Sequence, residues 1–208
     1  MTPWLQIVGI GEDGVAGLSA AARGALAGAE TILGGDRHHD LTQVSTAKRL
    51  SWPSPFDAMI AEIEAHRGRP LVILATGDPL WYSVGARIAR AIPAGEIVFH
   101  PQLSAFQWAA CRLGWSLADV ETLTAHGRPA AQIVPAFWPG ARLLILTAGA
   151  ETPREIAALL TERGYGASQL HVLAHLGGAE ERRIDGVAAD WAVETPEIPA
   201  FHTLAVRC

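Results

Sequence analysis

The sequence predicts an α/β fold in two domains, and three observations carry that prediction. Short apolar runs alternate with helical patterns as far as Leu113. A polar stretch from Gly114-Trp115 to Asp119 then interrupts the alternation. Beyond it the pattern restarts, with no clear helix between every pair of strands. Strict β-α alternation implies a mostly parallel sheet with helices on both faces, whereas adjacent strands without helices imply antiparallel pairing. The expected domains are residues 1–116, with a mostly parallel sheet, and residues 117–208, with a mixed one.

Each element has a local reason. Leu5-Gln6-Ile7-Val8 is a short buried-strand run ending in glycines, and a helix from Ser19 to Ala29 follows with Ser19 placed as its N-cap. Thr31-Ile32-Leu33 is a second strand, stopped by Gly34-Gly35. After the Pro53-Ser54-Pro55 loop, Phe56, Met59, Ile60 and Ile63 recur at helical spacing. Leu71-Val72-Ile73-Leu74 is the most apolar run of the chain, and Val84, Ile88 and Ile92 form the next helical stripe. Ile97-Val98-Phe99 is a further strand, followed by a helix near Ala105 to Leu113. In the second half the strands fall at Val120–Leu123, Leu143–Thr147, Gln169–Ala174, Arg182–Asp185 and Thr203–Val206, with a helix from Pro153 to Arg163.

Composition narrows the function classes. A formal charge of −5 argues against a general nucleic-acid binder, which needs a cationic face. No apolar run approaches the roughly 18 residues that span a bilayer, and no signal peptide is visible at the start, so a cytoplasmic protein is expected. The two cysteines, Cys111 and Cys208, make neither a disulfide framework nor a CxxC metal pair.

Three loops are candidates for chemistry. Gly9-Ile10-Gly11-Glu12-Asp13-Gly14 half resembles a dinucleotide fingerprint, but Glu12 and Asp13 put negative charge where a pyrophosphate would sit, and the helix starts only near Ser19. It is also readable as a mere tight turn. Thr76-Gly77-Asp78-Pro79 follows the most apolar strand, at the strand end where open α/β sheets bind ligands. Proline after Asp78 favours extended backbone there, freeing the carboxylate for a ribose hydroxyl or a backbone amide; alternatively Asp78 caps the next helix. In His100-Pro101-Gln102-Leu103-Ser104-Ala105, Ser104 either caps its own helix or donates to a ligand.

The eight histidines suggest no metal site. His171 and His175 lie on a strand-like run, with no third ligand in a zincin arrangement. His126-Gly127-Arg128 and Asp36-Arg37-His38-His39 read as cation clusters in loops, or as plain solvated surface. No nucleophile elbow or Cys–His pair is present.

The order and spacing of these loops resemble those of the tetrapyrrole (corrin/porphyrin) methylases. The resemblance rests on Ile7 to Gly14, Gly77-Asp78-Pro79-Leu80-Trp81-Tyr82, Pro101 to Ala105, Leu146-Thr147 to Pro153, and Leu176-Gly177 with Glu180-Glu181 and Gly186. Within the family the chain looks most like the domains that methylate C5 of a corrin precursor. Leu33-Gly34-Gly35-Asp36-Arg37-His38, Ser104 to Ala109, Ala125-His126-Gly127-Arg128 and Thr152 to Ala157 point there. The family commonly has Pro-Gly where this sequence has Glu12-Asp13, and again at Pro101-Gln102.

The resemblance implies a tetrapyrrole methylase fold: two α/β domains with S-adenosylmethionine (SAM) in the cleft between them, working as a homodimer. It implies cofactor contacts at Gly11, Glu12, Gly77, Asp78, Trp81, Ser104 and Ala105, and at Thr147, Ala148 and Gly177 from the second domain. Arg37, His38, His126 and Arg128 are candidates for holding the carboxylates of a precorrin substrate. The implied reaction is a precorrin-7 to precorrin-8 type C5 methylation in cobalamin biosynthesis, leaving S-adenosylhomocysteine. No catalytic residue is nominated, because an activated methyl donor and an electron-rich ring carbon need placement more than a nucleophile. Related enzymes carry a following domain that decarboxylates and methylates C15, fused or separate. The abrupt end at Cys208 favours a piece of such a fusion over a stand-alone enzyme. The alternatives are another activity of the family, at a different ring position or on diphthine or ribosomal RNA, and a non-catalytic corrin-binding domain.

Overall fold

The computed structural model describes residues 3–43 and 46–208; Met1-Thr2, part of the start read for a signal peptide, lie outside the described residues. The chain divides into two compact units, one running to Ser104 and the other from Ala105 to Cys208. The sequence boundary at 116/117 falls later, so the helix over Ala105–Leu113 belongs with the second unit.

The first unit holds β1 (Leu5–Ile10), α1 (Ala20–Ala27), β2 (Thr31–Gly34), α2 (Asp36–Asp40), β3 (Lys48–Ser51), α3 (Met59–Glu64), β4 (Leu71–Thr76), α4 (Val84–Ala91) and β5 (Ile97–His100). Its sheet has the order β3-β2-β4-β1-β5 and every pairing is parallel. Side chains alternate across a strand. Accordingly Val8, Val72 and Leu74 pack with Leu18, Ala22 and Leu26 of the α1 side. Leu5, Ile7, Leu71 and Ile73 pack with Met59, Ile63 and Ile88 of α3 and α4 on the other face. Each such fully buried aliphatic side chain contributes about 1.5–3 kcal/mol.

This arrangement fixes where a ligand can go. β1 leaves through α1 on one face, and its neighbour β4 leaves through α4 on the opposite face. Two adjacent strands whose connections part in this way create a crevice at their C-terminal ends. The N-cap of α1 is as expected: Ser19 Oγ accepts from the Ala22 amide at 3.1 Å.

The second unit contains α5 (Ala105–Leu113), β6 (Glu121–Thr124), β7 (Arg142–Leu146), α6 (Thr152–Glu162), β8 (Gln169–Ala174), β9 (Arg182–Val187), α7 (Ala188–Val193) and β10 (His202–Arg207). The sheet order is β6-β7-β10-β8-β9. Only β6 and β7 run parallel; β10 is antiparallel to both β7 and β8, and β8 to β9. Leu143, Ile145, Leu170, Val172, Leu204 and Val206 point to one face, against Ile156 and Leu160 of α6 and Trp191 of α7. Among the described residues no helix is long and apolar enough to cross a membrane.

Three elements depart from the sequence reading. Asp36-Arg37-His38-His39 is the short helix α2 and not a loop. Lys48–Ser51 forms the edge strand β3, hidden because it is short and polar. Ala188–Val193 forms α7, too short to show a helical stripe. His175 lies past the end of β8 with φ of 50°, so it does not share a strand face with His171.

Candidate functional site

In the first unit the loops after β1, β4 and β5 meet through backbone atoms. The Gly77 amide donates to the Ile10 carbonyl at 3.0 Å. A Cβ on Gly9 would lie 1.9 Å from the Gly77 carbonyl oxygen and 2.9 Å from the Gln102 nitrogen. Gly77 itself has φ of 60°, and a Cβ there would come within 2.8 Å of the Ser104 Cα. Only glycine permits this approach. Gln102 reinforces it by donating from Nε2 to the Gly17 carbonyl. Gly11, Glu12, Gly77, Asp78, Trp81 and Ser104 are therefore gathered at one edge of the first sheet.

Asp78 is bound locally and does not cap α4, whose N-cap is Ser83. Its Oδ1 accepts from the Leu80 amide at 2.7 Å, an i to i+2 turn typical of aspartate. A carboxylate held this way keeps acceptor capacity for a hydroxyl. Trp81 is half-buried in the same turn, while Leu80 and Tyr82 are exposed on either side.

Helix α2 is a brace. Its four leading side chains reach three elements: Asp36 and His39 meet β3, through Ser51 Oγ and the Leu50 carbonyl, each at 2.9 Å, Arg37 pairs with Glu12 of the first loop at 2.7 Å, and His38 Nε2 meets Thr76 Oγ1 of β4 at 2.9 Å. The Glu12 charge, which counted against a phosphate in the first loop, is thus balanced by Arg37. His38 is not a cation. Burial, with the Arg37 and His39 charges adding to it, lowers its pKa to about 4, and its Nδ1 is buried without a hydrogen-bond partner. Arg37 and His38, two of the candidate substrate contacts, thus also take part in this brace.

In the second unit the candidates share one edge of the sheet. The parallel ends of β6 and β7, the end of β8 and the start of β10 all lie there. His126 and Arg128 occupy the exposed turn after β6. Thr147 Oγ1 donates to the His202 carbonyl at 2.8 Å, and the Ala148 amide donates to Thr152 Oγ1 at 3.1 Å. Ala105 opens α5. His202 is buried; burial lowers its pKa, its Nδ1 lies 2.7 Å from the Pro199 carbonyl, and its Nε2 has no hydrogen-bond partner.

Gly177 sits in the turn after β8 with φ of 81°, and its amide donates to Glu181 Oε2 at 2.7 Å. Glu181 is also held by both Nε and Nη2 of Arg112, the latter at 3.0 Å. Arg112, Glu181 and Trp108 are the residues that sequence reasoning did not place in the site. The Gly177-to-Glu181 spacing points towards Glu181, and the Ser104 to Ala109 segment contains Trp108. Among the described residues no group of His, Cys, Asp and Glu is arranged to hold a metal.

Residues 5–192 match the family model of the tetrapyrrole (corrin/porphyrin) methylases. A precorrin-6Y C(5,15)-methyltransferase [decarboxylating] of Sinorhizobium sp is 45% identical over 190 residues, covering 91% of this chain and 46% of that protein. The chain thus spans about half the length of that relative. A cobalt-precorrin-7 C(5)-methyltransferase of Salmonella typhimurium is 28% identical over 178 residues, covering 86% of this chain and 88% of that protein. Among solved structures, uroporphyrin-III C-methyltransferase from Thermus thermophilus, complexed with S-adenosylhomocysteine, superposes with a TM-score of 0.76 at 17% identity, covering 97% of this chain and 96% of that one. With both sheets, the glycine-built loop cluster and the family pattern running from β1 into α7, the chain belongs to the tetrapyrrole (corrin/porphyrin) methylases.

Proposed function

We propose that this chain is a SAM-dependent methyltransferase that transfers a methyl group to C5 of a corrin precursor in cobalamin biosynthesis. The carrying observation is an overlap between two relatives. The chain matches about half of a protein named for C5 and C15, and most of a protein named for C5 alone. What the two names share is C5.

The candidate residues fit SAM. At Gly9 and Gly77 the three loops pack backbone against backbone, which holds the candidate contacts of the first unit in fixed positions at the sheet edge. Asp78 offers its carboxylate to a ribose hydroxyl, and the ion-paired Glu12 tolerates a zwitterion better than a diphosphate. Bound there, SAM supplies an activated methyl group. The protein's part is to hold the ring carbon in line and keep water out, an effect worth several kcal/mol. Thr147, Ala148 and Gly177 serve as the second unit's contacts, and His126 and Arg128 hold substrate carboxylates. In the fused relatives' arrangement, a following domain acts at C15.

Incubation with precorrin-7 and methyl-labelled SAM, followed by NMR, tests the reading: the label is expected at C5. Label at another carbon would move the chain to a different activity of the family, and failure to bind SAM would leave a corrin-binding domain. Arg128→Ala should raise the substrate KM by about tenfold with SAM affinity intact, as expected for one charge-assisted hydrogen bond. An unchanged KM removes Arg128 from the substrate contacts.

A further inference from the structure

We propose that Arg112 and Glu181 form a latch that positions the Gly177 turn over the Trp108 ring, and that this latch sets the affinity of the second unit for SAM. The proposal rests on the reading of Gly177 as a cofactor contact.

Trp108 and Arg112 are one helical turn apart on α5, whose Phe106, Ala109 and Ala110 are the buried positions. The Arg112 guanidinium lies 4.9 Å from the Trp108 ring centroid. From that position over the ring, the guanidinium presents two donors to the two oxygens of Glu181. Glu181 Oε2 in turn accepts the Gly177 amide at 2.7 Å. The circuit closes at Gly177, because a Cβ built there would lie 3.0 Å from Trp108 Cε2. Indole, guanidinium, carboxylate and backbone amide therefore form one ring of contacts from α5 to the turn and back.

The ring defines a geometry more than it stabilises the fold. The Arg112 and Glu181 side chains are 41% and 23% exposed, and exposed ion pairs add little to global stability. The hydrogen bond from Arg112, aided by the Gly177 amide, keeps the Glu181 carboxyl below its usual range, so the latch stays ionised at neutral pH. What it fixes is a short turn beyond the end of β8 whose internal backbone bonds are Gly178 to His175 at 2.9 Å and Glu181 to Gly178 at 3.3 Å. Released, that turn has to be ordered again each time a ligand binds, a cost charged to affinity.

Calorimetric titration with SAM, alongside thermal melting, tests this on the intact chain. Arg112→Ala should weaken SAM binding by about tenfold, the scale of ordering one segment on binding. Its Tm should move by less than about 2 °C. The KM for SAM should rise in step, with a smaller change in kcat. Arg112→Lys, which keeps the charge but loses the fork, should recover only part of the affinity. Glu181→Gln, which retains an acceptor for the Gly177 amide, should fall between wild type and Arg112→Ala. Affinity within twofold of wild type in Arg112→Ala overturns the latch, as does a loss matched by a large fall in Tm. A wild-type protein that does not bind SAM overturns the cofactor reading itself, and the latch with it.

Discussion

The two units build their candidate edges by different means. In the first, three loops touch through main-chain atoms, and glycine makes the contact possible. In the second, side chains hold the loops: Thr147 to the His202 carbonyl, Thr152 to the Ala148 amide, Arg112 to Glu181. The difference follows from the sheets. A wholly parallel sheet sends all its C-terminal ends to one edge, so its loops crowd together. A mixed sheet places a strand start, at His202, between the ends of β7 and β8, and the Thr147 hydroxyl ties the end of β7 to that start. The candidate edge of the first unit should thus be brittle to added bulk and that of the second more forgiving.

The largest test of that contrast is Gly9→Ala. Its Cβ would meet a carbonyl oxygen of another loop at 1.9 Å, and backbone cannot swing aside as a side chain can. A loss of about 3 kcal/mol or more is expected, at the upper end for overpacking, read by denaturant melting. A loss under about 1 kcal/mol would show that the three loops are not in contact.

Next is the α2 brace, tested by pH. The folded state holds His38 neutral, with its pKa lowered from 6.5 to about 4, so the unfolded chain binds the proton first. Stability conferred by the neutral ring is complete above pH 6.5 and is lost as pH falls towards 4, by a total on the order of 3 kcal/mol. His38→Gln should remove that part of the acid slope. An identical slope in the variant would mean that other groups produce it.

Gly177→Ala should cost less than Gly9→Ala, about 1–2 kcal/mol, from the left-handed φ of 81° and the Trp108 ring 3.0 Å away. The ring edge can shift by a few tenths of an ångström where the first unit's carbonyl cannot. Equal losses at the two glycines would erase the distinction between the units. Smallest of all is Arg87→Ala, which breaks an ion pair with the 85% exposed Asp57 and should change stability by no more than about 0.5 kcal/mol.

What was legible in the sequence follows the same division. The run Leu71 to Leu74 and the helix Ala105–Leu113 could be read because continuous apolar runs and helical stripes are local signals. β3, α2 and α7 could not, being four to six residues long with no room for a period. The candidate loops were legible as glycine-bearing strand ends, but their mutual contact is a property of strand order. His38 looked like a cation because burial is invisible in a sequence. Arg112 and Glu181 stand 69 positions apart, and nothing periodic connects them.

Strand order has one more consequence, for the timing of synthesis. The first sheet is complete once β5 has been made, at His100. The second sheet is built around β10, its middle strand and the last one translated. Until His202–Arg207 leaves the ribosome, β6-β7 and β8-β9 have no strand to join them, and the edges of β7 and β8 that pair with it stay open. Domains fold in turn from the N-terminus as they emerge. The first unit can therefore fold on the nascent chain, whereas the second must wait for its centre and is the part that a chaperone would need to shield.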